Sequence, residues 1–101
     1  MSVLVYDTFF AALLVYDTRW LTQVDCEPDG FVFHFSTEPW IHDELWAAYM
    51  SDEGQGVTDI RAYSASFKRV ERLKGLAKRS RDGKWTDKAW QNGRRNQLEE
   101  V

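Results

Sequence analysis

The sequence predicts a small α+β domain: an N-terminal buried helix, a central β-hairpin with room for a third short strand, two further helices packed on it, and a basic C-terminal extension. Three stretches carry that expectation. Two strand-like runs, WLTQVDC and FVFHF, flank Glu27-Pro28-Asp29-Gly30, where proline presets φ and Asp-Gly tolerates the positive φ of a tight turn. FFAALLVY, residues 9–16, is apolar nearly all round, as a buried helix is. In residues 57–81, Ile60, Tyr63, Phe67, Val70 and Leu73 recur every three or four positions and form one helical stripe.

Residues 2–6, SVLVY, read as an edge strand or a lead-in. Asp7 or Thr8 caps the first helix. The tetrapeptide VYDT occurs at residues 5–8 and 15–18, too close for a repeat unit, and reads as chance or as two capping sites. In the hairpin, Phe31, Phe33 and Phe35 share one face opposite Val32 and His34, while Trp20, Thr22, Val24 and Cys26 form one face of the partner strand. Ser36 or Thr37 caps the next helix, with Pro39 in its first turn and Ile41, Leu45, Ala48 and Tyr49 as its inward stripe. Trp46 and Met50 lie off that stripe, either covered by the C-terminal segment or exposed as anchors. SDEGQG then breaks the helix, and Thr58 or Asp59 caps the basic one, which Gly75 is suited to end. A second turn signal follows at Asp82-Gly83. Thr86 is placed to cap a last short helix with Trp85 and Trp90 as its hydrophobic staple. The compact domain is thus expected over residues 1–76 and the extension over 77–101.

With 101 residues, 44% of them hydrophobic, the chain has material for one core and no space for a second domain. Asp7, Asp17 and Arg19 interrupt the N-terminal apolar stretch, so no run of about 18 apolar residues exists to span a membrane. A basic leader and a small-residue cleavage site are both missing, and the single cysteine, Cys26, excludes an internal disulfide. A protein of the host-cell cytosol, with no membrane partner, is the expectation.

Net charge is −3, but its distribution is uneven. Residues 1–59 hold eleven acids and one base, Arg19; residues 60–101 hold five acids and twelve bases. Either the basic half meets nucleic acid or an acidic protein, or the two halves neutralise each other within the fold.

From Tyr6 to Leu73 the order of features resembles a small uncharacterised domain family found in phages, plasmids and bacteria. The resemblance rests on Asp7-Thr8 leading into Ala11-Ala12 and Leu14, a strand pair closing on Phe31-Val32-Phe33, an acid-bearing helix, and Val57-Thr58-Asp59 opening a helix that runs to Leu73-Lys74. It implies a compact α+β domain of mobile-element origin, and it brings no catalytic residues.

Catalytic and metal-binding patterns are not found. One cysteine and two histidines, His34 and His42, lack any finger or ribbon spacing, so no metal or other cofactor is expected. Cys26 and His34 across the hairpin lack an orienting third group, and the adjacent carboxylates Asp43-Glu44 and Asp52-Glu53 diverge on a helix. EGQG lacks the rest of either phosphate-binding pattern. An enzyme is not expected.

Binding remains. Arg61, Lys68, Arg72 and Arg79 fall on one helical line, flanked by Arg69, Lys74, Lys78 and Arg81, with Trp85 and Trp90 beyond to stack on bases; such a set suits a nucleic-acid backbone without sequence preference. The competing expectation is a module that binds or inhibits a host or phage protein through its acidic half, with Asp43, Glu44, Trp46 and Met50 in contact, as docking surface or nucleic-acid mimic. Self-association through the first helix or the hairpin edge is a third possibility, and sequence leaves the oligomeric state open.

Overall fold

The structure, a computed structural model, describes residues 2–51 and 59–92. It is a mixed α+β fold. Seven elements follow in order: β1 (Ser2–Val5), α1 (Thr8–Tyr16), β2 (Trp20–Glu27), β3 (Gly30–Ser36), α2 (Pro39–Met50), α3 (Ile60–Arg79) and β4 (Lys84–Thr86). A further helical turn occupies residues 88–92. The strands form one antiparallel sheet in the order β1-β3-β2-β4, so the hairpin sits in the middle and the two short strands flank it.

Both VYDT copies lie at ends of α1. At the first, the Asp7 carboxylate accepts from the backbone amides of Phe9 (2.8 Å) and Phe10 (3.1 Å), the N-cap arrangement. At the second, Thr18 takes φ of 64° while the Thr18 amide donates to the Val15 carbonyl and the Arg19 amide to the Leu14 carbonyl. That pair of bonds is a Schellman C-cap with a β-branched residue where glycine is usual. Between the caps, Phe10 through Leu14 are buried, as an all-round apolar helix requires.

The hairpin turns at Glu27 opposite Gly30, and Gly30 carries a φ of 146°. Val5, Leu21, Val24, Phe33 and Phe35 are buried on the face that receives α1 and α3. Strict alternation fails at one point. A register shift between Leu21 and Gln23 leaves Leu21 opposite Phe35 and Gln23 opposite His34, with Thr22 as the extra residue, its hydroxyl donating to the His34 carbonyl at 3.0 Å. Leu21 therefore joins Val24 on the inner face, and Trp20 does not share a face with Val24 and Cys26 as expected.

Helix α3 corrects the sequence reading at both ends. Ile60 is 81% exposed and contributes nothing to the core, which takes Val70, Leu73 and Ala77, with Tyr63 and Phe67 half-buried beside it. Gly75 lies inside the helix, which runs to Arg79 with Ser80 as its C-cap. Burial of Ala77, four residues beyond Leu73, outweighs the helix-breaking tendency of glycine. Beyond Ser80 the chain turns at Gly83 (φ 70°), and β4 pairs with β2, Trp85 facing Val24. The fourth strand thus comes from the segment expected to be an extension. Asp87, and not Thr86, accepts the Trp90 amide (3.1 Å), and the Trp90 ring meets Trp20 edge-on at 5.3 Å in place of a staple with Trp85.

Helix α2 has Glu38 as its N-cap with no side-chain cap bond, and Pro39 opens it. Thr37, expected as a cap, is buried with its hydroxyl unpaired among the described residues. No residue of α2 is fully buried; Leu45 and Tyr49 rest against the core, and Tyr49 donates to Asp7 at 3.3 Å.

Candidate nucleic-acid interface on α3

Helix α3 carries seven bases and one acid, Glu71. At 100° per residue, Arg61, Lys68, Arg72 and Arg79 fall within a narrow arc, and the buried residues Val70, Leu73 and Ala77 lie about half a turn away. The sheet and α1 hold the apolar stripe, so the cationic line faces solvent. All four side chains are exposed, as are Arg69, Lys78 and Arg81. At a rise of about 1.5 Å per residue the line is roughly 27 Å long.

The cationic face lacks acidic partners among the described residues. The ion pairs of the described residues are Arg19–Asp17, His34–Asp25, His42–Asp43 and Lys74–Glu71. None involves Arg61, Lys68, Arg69, Arg72, Lys78, Arg79 or Arg81. Lys74 turns away from the line, its ammonium 4.9 Å from the centre of the Phe31 ring and 3.1 Å from Glu71. Ala65, Lys68, Arg69 and Arg72 surround a shallow depression of about 290 Å³.

Trp85 is not part of this face. It is half-buried against the core as the β4 partner of Val24, so its ring is not free to stack on a base. Phe33 and Phe35 are wholly buried and Phe31 packs beside them, which makes that face of the hairpin core and not a stacking platform.

The acidic residues expected at a protein interface lie elsewhere. Asp43 and Glu44 are exposed on α2, and Met50 is 63% exposed at its end. Trp46 is only partly free: its ring meets Phe10 edge-on at 4.9 Å and lies parallel to His42.

One polar group went unnoticed in the sequence. On the open sheet face His34 Nε2 lies 2.8 Å from Asp25 Oδ2, and Gln23 donates to Asp25 Oδ1 at 2.7 Å. Burial alone would raise the Asp25 pKa. Hydrogen bonds from Gln23 and His34, with the charges of His34 and Lys84, outweigh it and hold the carboxyl below its ordinary value. A carboxylate only accepts, so the imidazole donates from Nε2. The signal was available, since Asp25 and His34 are diagonal neighbours across the hairpin. Cys26 sits on the other face of β2, opposite Phe31, so it does not meet His34.

Among the described residues, no three His, Cys, Asp or Glu side chains converge to hold a metal ion, and no helix is long and apolar enough to cross a membrane. Comparison with protein-family models, curated proteins and solved structures gave no match to this chain.

Proposed function

We propose that this protein binds nucleic acid without strong sequence preference by laying the exposed face of α3 along a phosphate backbone, as a small cytosolic accessory protein of a phage or other mobile element. The observation that carries the reading is the line Arg61, Lys68, Arg72 and Arg79, exposed, opposite the buried stripe and free of acidic partners among the described residues. Phosphate contact by flexible cations supplies affinity without reading bases, which matches a face with no stacking aromatic.

Binding of labelled single-stranded and duplex oligonucleotides across a salt series tests it. Four phosphate contacts give a log–log slope near −3.6 on duplex and roughly a 150-fold loss of affinity between about 50 and 200 mM salt. Replacing Arg61, Lys68 and Arg72 together by alanine leaves one contact of the four and a slope near −0.9. No affinity at about 50 mM salt, where phosphate contacts are strongest, overturns the proposal.

A second reading, a protein-binding or inhibitory module, is favoured by the exposure of Asp43, Glu44 and Met50 on α2. It places its contacts on another part of the molecule, so the two readings do not compete for one surface.

A further inference from the structure

We propose that the free edge of β1 takes up an extended cationic peptide as a fifth strand, with one of its apolar side chains seated in the cavity between β1 and α2. The inference is independent of the reading of α3.

Strand β1 stands at one end of the order β1-β3-β2-β4, with β3 on one side and, among the described residues, no strand on the other. Natural edges are commonly blunted by brevity, by proline or lysine, or by a bulge, and β1 has only the first of these. Ser2–Val5 contains neither residue, and its register with β3 is unbroken from Ser2 opposite Ser36 to Val5 opposite Phe33. The edge is regular and apolar, which leaves its main chain open to pairing; at four residues it offers few hydrogen bonds, so a side-chain anchor must supply the rest of the affinity.

Main-chain pairing alone carries little specificity, and the second half of such a site is a pocket for alternate side chains. Here a cavity of about 500 Å³ opens beside the C-terminal end of β1, lined by Leu4, Val5, Asp7, Phe10, His42 and Trp46. Phe10 is fully buried, and the His42 and Trp46 rings meet it edge-on at 5.4 and 4.9 Å. The His42 and Trp46 rings are parallel to within 4°. Because side chains alternate along a strand, a peptide residue paired beside Val5 points to the helix side of the sheet, where this cavity lies. Its two neighbours point to the other side, next to the half-exposed Leu4. The site therefore takes one aromatic or branched aliphatic anchor.

Charge selects the peptide. Asp7 is in the lining, Asp43 and Glu44 are exposed on the same helix as His42 and Trp46, and Glu38 is exposed at its start. Arg19 is the one base in residues 1–59, and it is held 2.9 Å from Asp17. Lys74 of α3 reaches Thr8 Oγ1 at 3.4 Å on the other flank of Asp7, but acids outnumber bases around the cavity, and exposed Glu38, Asp43 and Glu44 favour lysine and arginine over phosphate.

The test uses a labelled Lys-Val-Phe-Val-Lys-Lys peptide against the full chain, read by amide shifts in a two-dimensional NMR spectrum and by anisotropy. Two control peptides leave the protein untouched: one with alternate backbone nitrogens methylated, which removes strand pairing, and one with glutamate in place of each lysine. The expected result is saturable binding with shifts concentrated in residues 2–7 and 42–46, weakened at least tenfold by either change. Trp46→Ala, shown to be folded by circular dichroism, is expected to weaken binding by a similar factor; if it does not fold, the control peptides decide. Absence of binding, equal binding of the methylated peptide, or shifts centred on α3 overturns the proposal. So does a free protein that sediments as a dimer with protected β1 amides, since a second copy then occupies the edge.

Discussion

The substitution Arg72→Glu separates a cationic line that serves the fold from one that serves a ligand. Arg72 is exposed on α3, with Lys68 four residues and Arg69 three residues before it, and it has no acidic partner among the described residues. Like charges at these spacings destabilise a helix by about 0.2–0.5 kcal/mol per pair, and opposite charges stabilise it by a similar amount. The substitution removes two repulsions and creates two attractions, which sums to about 0.8–2 kcal/mol of added stability at low salt. Position 72 is seven residues from the end of α3, beyond the reach of the unfavourable dipole of the last turn. Urea denaturation followed at 222 nm measures the change, and repeating it at about 1 M salt, where the Debye length is roughly 3 Å, should shrink it. On the proposed function, the same variant loses more nucleic-acid affinity than Arg72→Ala, because it adds a repulsion. A loss of stability greater than about 0.5 kcal/mol would refute the reasoning, since it would mean that Arg72 is bound to the acidic half of the fold.

Three further outcomes follow from the structure. Gly75→Ala should raise stability by about 0.5–1 kcal/mol, the helix-interior preference, because an added Cβ meets only the exposed Arg79 guanidinium at 3.4 Å; Gly83→Ala, at a φ of 70° and 3.4 Å from the Cys26 carbonyl, should lower it, and thermal melts of the pair check both signs. Thr18→Gly should raise the melting temperature by relieving about 1 kcal/mol or more of left-handed strain at the end of α1, with an unchanged midpoint as the contrary result. For Asp25, a folded pKa below the unfolded value near 3.9 means that its contribution is full above that value and is lost as pH falls through the folded one. Asp25→Asn should therefore cost about 1.5–3 kcal/mol at pH 7, with the cost shrinking as pH falls below about 3.9, and a cost that does not shrink through the acid range would count against the hydrogen bonds seen at this carboxylate.

Where one local force dominates, the sequence could be read directly. The apolar octet of α1 with Asp7 before it, the Pro-Asp-Gly turn, and the cationic line at helical spacing all depend on residues within a turn or two of one another. The unread features depend on distant partners. Gly75 marks a helix end on local propensity, but Ala77 finds a place in the core and carries the helix another turn. Trp85 reads as an exposed aromatic until β4 pairs with β2 and turns the ring inward. Trp20 is misassigned because the extra residue at Thr22 reverses the alternation, which no two-residue period reveals. In the cavity beside β1, Phe10 comes from the all-round apolar helix and His42 from a helix whose inward stripe reads as Ile41, Leu45, Ala48 and Tyr49, and only their packing brings them together.

The placement of charge follows from the layering of the fold. Helix α3 must turn Val70, Leu73 and Ala77 toward the sheet, and with a period of 3.6 residues this turns Arg61, Lys68, Arg72 and Arg79 to the opposite side. Asp25 is on the far face of that sheet, Glu27 and Asp29 at the tip of its hairpin, and Asp43 and Glu44 on α2. The sheet and its core thus separate Asp25 from the cationic line, and Asp25 is already bonded to His34. Close pairing with nearby acids would have given the line a structural role. Among the described residues it is instead left to solvent, with two like-charged pairs, Lys68–Arg72 and Arg69–Arg72, at mutually repelling spacing. A helix arranged for stability alone would interleave acids at these positions. The absence of that interleaving along Arg61, Lys68, Arg72 and Arg79, while Asp43 and Glu44 stand exposed on α2, shows that the two kinds of charge do not pair across the described fold.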